Sequence, residues 1–169
     1  KILVLVLLCL FSSFLTTQAF AATQTRRPID DNSSTGTWTK YPATLTYYYQ
    51  AVSEESADDG NSYIKATAVG YNLFNLSAFT VPAGATISKL SMVYKHKRDP
   101  GTPAGDIRSA LLVGGTVTYE PTGVTPKASW DIRTYDYTTN PRTGSSWTTA
   151  EVNGVDPSNP LQAFGVYTS

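Results

Sequence analysis

Cysteine and histidine are almost absent from the 169-residue chain, which has one of each, Cys9 and His96. That leaves too few soft ligands for a zinc or iron–sulfur centre and no pair from which an intrachain disulfide could form. No metal and no other cofactor is expected. Charge is scarce as well, 15% of residues, and balanced at 13 basic against 13 acidic side chains. Without a basic excess to neutralise phosphates, nucleic acid is not an expected partner. A hydrophobic share of 41% still supports a packed core, outside the highly charged compositions that stay disordered. At this length a single domain is the expectation.

The long apolar run, residues 2–11 after Lys1, gives way to Ser12, Ser13, Thr16, Thr17 and Gln18 and then to Ala19-Phe20-Ala21. Small residues at 19 and 21 stand where a signal peptidase reads. Residues 1–21 are therefore predicted to be an export signal, because a spanning helix needs about 20 predominantly apolar residues; a retained anchor is the second choice. Cys9 leaves with the signal. A lipid-bearing role for it is disfavoured by bulky Leu8 and by its place inside the apolar run. The mature protein is expected to be extracellular or at the cell surface, with no membrane attachment.

Residues 22–41 are polar and turn-rich, with no apolar period of 2 or 3.6, and read as an extended arm ahead of a domain at 42–169. In that domain, short runs rich in Tyr, Val, Ile, Thr and Phe alternate with turn signals. Strands are predicted at 45–52, 62–69, 71–79, 87–96, 107–113, 116–120, 129–137 and 162–168. In the run 87–96, Leu90, Met92, Tyr94 and His96 fall on one face, opposite Lys89, Ser91 and Lys95, as a half-buried antiparallel strand requires. Pro82-Ala83-Gly84, Gly114-Gly115 and Asn140-Pro141 supply breaks between strands. The fold expected is all-β, a two-sheet antiparallel sandwich of jelly-roll or immunoglobulin-like type. One short helical turn is predicted near the C-terminus. There Thr148 and Glu151 have the spacing of a capping box, and Trp147 and Val152 that of a hydrophobic staple.

Candidate chemistry is thin. His96 is the only side chain whose ordinary pKa lies near neutrality, but no Gly-x-Ser-x-Gly elbow supplies a nucleophile for it. Glu54, Glu55, Glu120 and Glu151 are the glutamates from which a glycosidase pair would be drawn, yet Glu151 has a capping role and Glu54 and Glu55 sit in an acidic loop. Asp58-Asp59-Gly60-Asn61 has oxygen ligands suited to calcium but lacks the full EF-hand spacing, and a plain turn is the better reading. No catalytic residue is assigned. Asn32-Ser33-Ser34 and Asn75-Leu76-Ser77 fit the N-glycosylation triplet, Asn32 being the more accessible, and the Ser/Thr-rich arm offers O-linked sites. Eleven tyrosines, among them Tyr47-Tyr48-Tyr49, point to rings at solvent, at subunit interfaces or stacked on sugars.

Residues 140–154, from Asn140-Pro141-Arg142-Thr143-Gly144 through Trp147 to Asn153-Gly154, followed by Leu161-Gln162-Ala163-Phe164-Gly165-Val166, resemble the closing segment of β-sandwich modules in bacterial and phage surface and appendage proteins. Tyr63-Ile64 after an acidic turn is similar to an early part of the same modules. The insertion 155–160 departs from that pattern. The resemblance implies a jelly-roll-like sandwich with a structural or binding role, and no catalytic residues. Because the chain ends straight after a strand, with no sorting signal or apolar tail, the function expected is that of an extracellular subunit of a filament, fibril or surface layer. Such a homopolymer would be held by sandwich packing and by the arm, with Ile29, Trp38 and Tyr41 as its apolar anchors. The alternative is a secreted carbohydrate-binding module; a small glycan hydrolase ranks third. The expected partners are copies of the chain itself and glycans, covalent or bound.

Overall fold

A computed structural model describes residues 22–55, 60–100 and 105–169. The predicted export signal with Cys9, and Asp58 and Asp59 of the acidic turn, lie outside the described residues. The chain forms an all-β antiparallel sandwich with one short helix. Its strands are β1 (Pro28–Ser34), β2 (Trp38–Tyr41), β3 (Tyr63–Ala66), β4 (Gly70–Leu76), β5 (Leu90–His96), β6 (Ile107–Val113), β7 (Thr116–Tyr119), β8 (Asp131–Tyr137) and β9 (Leu161–Thr168); α1 is Thr149–Val152. One layer is a five-stranded sheet in the order β1-β4-β9-β6-β7. Two further ribbons are β2-β3 and β5-β8, and β5-β8 packs against the large sheet as the second layer. No described helix is long and apolar enough to cross a membrane.

The central strands of the five-stranded sheet, β4, β6 and β9, are buried on both faces, and the sequence shows why. In β6, Leu111 and Val113 face the opposing ribbon, where they form a core with Leu90, Tyr137, Trp147, Val152 and Phe164. Ala110, which points to the other face, joins Leu73 and Ala163 in a second cluster on the outer face, packed by Tyr71, Leu112, Val117, Tyr119 and Tyr167. A Gly114-Gly115 turn, with both residues at positive φ, connects β6 to β7, the backbone handedness that a two-residue hairpin needs. At Gly165, in the central strand, a Cβ would overlap the Asn72 carbonyl oxygen of β4, so only glycine permits this inter-strand approach.

The predicted alternation of β5 is present, with Leu90 and His96 buried and Ser91 and Val93 exposed. Its partner β8 places Arg133 against Glu120, just past β7. Glu120 is fully buried; its carboxylate accepts hydrogen bonds from Ser109 N and Oγ, both at 3.2 Å, and pairs with the Arg133 guanidinium. Burial, then the adjacent carboxylate, pushes the Tyr94 phenol pKa up, while the bond to Glu120 raises that of Arg133. At α1, Thr148 N donates to Glu151 Oε2 at 2.8 Å and Glu151 N to Thr148 Oγ1 at 3.2 Å, closing the capping box. Asn140 Nδ2 donates to the other Glu151 oxygen at 2.8 Å, and Trp147 Nε1 to the Tyr137 carbonyl at 2.9 Å.

Two elements differ from expectation. Residues 45–52 are not a strand. They form a turn containing a 3₁₀ segment, Tyr49–Ala51, because the Asp31 carboxylate accepts from Tyr48 N at 2.9 Å and Tyr49 N at 2.6 Å and so takes the amides a ladder would have used. Residues 22–41 are not a separate arm ahead of the sandwich. Within them β1 pairs with β4 and β2 with β3 of the same chain. Trp38 is 8% exposed, its Nε1 donating to the Thr35 carbonyl at 2.8 Å, so it anchors the chain's own fold.

Candidate functional site

The β5-β8 ribbon packs over the part of the large sheet formed by Leu111, Val113 and Phe164, while β2-β3 stands apart as its own ribbon. A cleft of about 1860 Å³ lies between them. Phe74 and Leu76 of β4 with Phe164 and Val166 of β9 supply its apolar lining; β3 contributes Ile64 and Lys65, and β5 contributes Leu90, Met92, Tyr94 and His96. Along the cleft, β5 has β8 as its one ladder partner among the described strands, and β3 has only β2.

One end of the cleft is fastened by charge and aromatic contacts. Lys65 Nζ lies 2.6 Å from Asp99 Oδ2; this hydrogen bond holds the Asp99 carboxyl below its usual range and raises the Lys65 pKa. Nearby, Tyr41 stacks on Tyr63 at 5.1 Å, Tyr63 meets the edge of Trp130 at 6.4 Å, and Lys97 Nζ sits 4.9 Å above the Trp130 ring. These contacts tie β2-β3 to the β5-β8 ribbon, so the cleft is bounded rather than open along its whole length.

The residues singled out from sequence fall in different places. His96 lines the cleft at 5% exposure, its Nδ1 buried without a partner among the described residues, and burial lowers its pKa. Glu54 and Glu55 stand at the cleft rim, where Ser62 Oγ donates to Glu54 and Arg27 lies 3.7 Å from Glu55. Glu120 and Glu151 are spent on the buried pair and the helix cap. Among the described residues no three His, Cys, Asp or Glu side chains cluster as metal ligands. The two glycosylation triplets meet across β1 and β4, Asn32 Nδ2 donating to Asn75 Oδ1 at 2.7 Å, with Asn32 exposed. Of the expected anchors, Ile29 and Tyr41 are about half exposed, at 52% and 49%.

Sequence reasoning missed β1, β2 and the cleft. The cleft has no local signature, since its lining comes from β3, β4, β5 and β9. A trace of β2 was present in Trp38-Thr39-Lys40-Tyr41, where Trp38 points in while Thr39 points out. Compared with known proteins, the chain matches no family model, no curated protein and no solved structure.

Proposed function

We propose that the protein is an extracellular structural subunit that assembles with copies of itself into a filament or surface layer through strand addition. The observation that carries this reading is the edge of β5 opposite β8, which has no ladder partner among the described strands and borders an apolar cleft. A strand edge presents unpaired N–H and C=O groups, and an extended segment of a second copy satisfies them while burying its alternate side chains on the cleft lining. Such a contact is heterologous, so it propagates as a filament when it does not close into a ring. Two further edges, β1 and β7, flank the large sheet, and β1 is lightly held: five of its seven residues are exposed and its register with β4 slips twice. That makes β1 the segment most readily exchanged between copies.

Val69 and Val93 are 62% and 64% exposed and both border the cleft. Lysine at each places charge where an added strand must pack while leaving the chain's own core untouched. Concentrated wild-type protein is expected to form filaments or large oligomers by electron microscopy and sedimentation, and V69K/V93K to remain monomeric with an unchanged melting temperature. Wild-type protein that stays monomeric at high concentration overturns the proposal.

A further inference from the structure

The outer face of the large sheet, opposite the cleft lining, carries an arrangement of half-buried tyrosines that strand addition at β5 does not use. Strand register places Tyr71 of β4 opposite Tyr167 of β9, and Tyr167 opposite Arg108 of β6, so the three occupy one row across neighbouring strands. In the next row Leu73, Gly165 and Ala110 lead to Tyr119 of β7. With only small side chains at Gly165 and Ala110, the Tyr119 and Tyr167 rings fold together over that gap, their centroids 4.3 Å apart. The result is a half-buried aromatic surface over a floor of small residues.

Its polar groups are unspent. None of the three phenol hydroxyls has a hydrogen-bond partner among the described residues. Among the described residues the Arg108 guanidinium makes one hydrogen bond, Nη1 to the Pro121 carbonyl at 3.2 Å, and its buried Nε has no partner there. Asp106, two residues earlier, accepts instead from Thr125 Oγ1 at 2.8 Å, and Arg108 forms no ion pair with any described carboxylate. Burial, then the neighbouring Tyr71 and Tyr167, raises the Tyr119 pKa.

Aromatic faces stack on the C–H faces of pyranose rings, phenol hydroxyls bond to sugar hydroxyls, and an arginine without an acid partner calls for a carboxylate. We infer that Tyr71, Tyr119, Tyr167 and Arg108 form a binding site for an acidic glycan, a chain of pyranose sugars carrying carboxylates. The charge complement at Arg108 is what selects a uronate-type polymer over a neutral one. This inference locates the glycan contact on a defined face and holds whether or not copies assemble through the cleft.

The test is binding of the full chain to polygalacturonate and alginate, with dextran as the neutral control, by affinity electrophoresis and calorimetry. Expected are binding to one or both uronates, weak or no binding to dextran, and weakening with salt. Arg108→Gln is expected to reduce affinity about tenfold, the scale of one lost charge-assisted contact, and Tyr167→Ala to abolish binding. Should Tyr167→Ala unfold the protein, Arg108→Gln and Tyr71→Phe, which removes a hydroxyl alone, decide the matter on a folded background. Absent uronate binding, equal affinity for dextran, or an Arg108→Gln variant that binds as well as wild type each overturns the inference. A wild-type dimer that dissociates on Arg108→Gln also overturns it, in favour of a second copy as the occupant. These readouts are independent of the V69K/V93K result.

Discussion

His96 was the single candidate for chemistry near neutral pH, and its surroundings turn it into a stability sensor. Burial lowers its pKa from the ordinary 6.5, Asp131 opposes that shift, and Arg133 and Lys127 reinforce it; the Tyr94 ring lies 5.6 Å away. A depressed pKa in the folded state means that the unfolded chain binds the proton more readily. The neutral-imidazole fold therefore has its full stability above pH 6.5 and loses it as the pH falls through that value toward the folded-state pKa. Melting temperatures measured from pH 8 to 5 are expected to drop below about pH 6.5 in the wild type. The drop should be largely absent in His96→Leu, whose apolar side chain has no charge to acquire. A parallel decline in both proteins would show that other groups govern that window, since the lowered carboxyls Asp99, Asp131 and Asp136 protonate at more acid pH.

At the scale of elements, the Glu120–Arg133 pair joins the end of β7 to β8 and so fastens the two layers. Removing the guanidinium leaves a carboxylate with no solvent exposure facing only Ser109 and Tyr94, a loss of about 3 kcal/mol when a buried pair is broken on one side. Arg133→Met is expected to lower stability by roughly that amount in urea titration. E120Q/R133M should lose less than the single variant, because the uncompensated charge goes with it; a double variant at least as unstable as the single would refute this account. The elements legible in sequence were those whose signal is local. The β5 face stood out because core contact alternates along it, and Thr148 and Glu151 lie three residues apart, within one helical turn. The edge strand β1 showed nothing because most of its side chains meet water and no alternation is imposed on it. Tyr47-Tyr48-Tyr49 misled because β-propensity is weak against a distant partner: the Asp31 carboxylate, 17 and 18 residues away, claims the Tyr48 and Tyr49 amides. The tyrosine face was anticipated only as abundance, since pairing Tyr71, Tyr167 and Arg108 requires the register of three strands distant in sequence.

For the whole molecule, the strand order fixes where stability resides. The C-terminal strand β9 lies at the centre of the large sheet, hydrogen-bonded to β4 on one side and β6 on the other, and its middle residues are buried on both faces. In contrast, β1 holds an edge by an irregular register, and β2-β3 is a four-residue ribbon. Local opening follows such differences in contact and exposure. Native-state hydrogen exchange of the monomer is therefore expected to give the slowest amides in β4, β6 and β9, approaching the global unfolding limit. Those of β1, β2 and β3 should exchange faster by sub-global opening. Equal protection of β1 and β9 would contradict the assignment of β1 as the loosely held strand. The same measurement on assembled material tests the strand-addition reading from another side. If a second copy pairs with the edge of β5 opposite β8, amides there that exchange in the monomer become protected, while those of the already paired β8 change little. Exchange of β5 that is identical before and after assembly would place the contact on another edge, β1 or β7, and leave the cleft without its occupant.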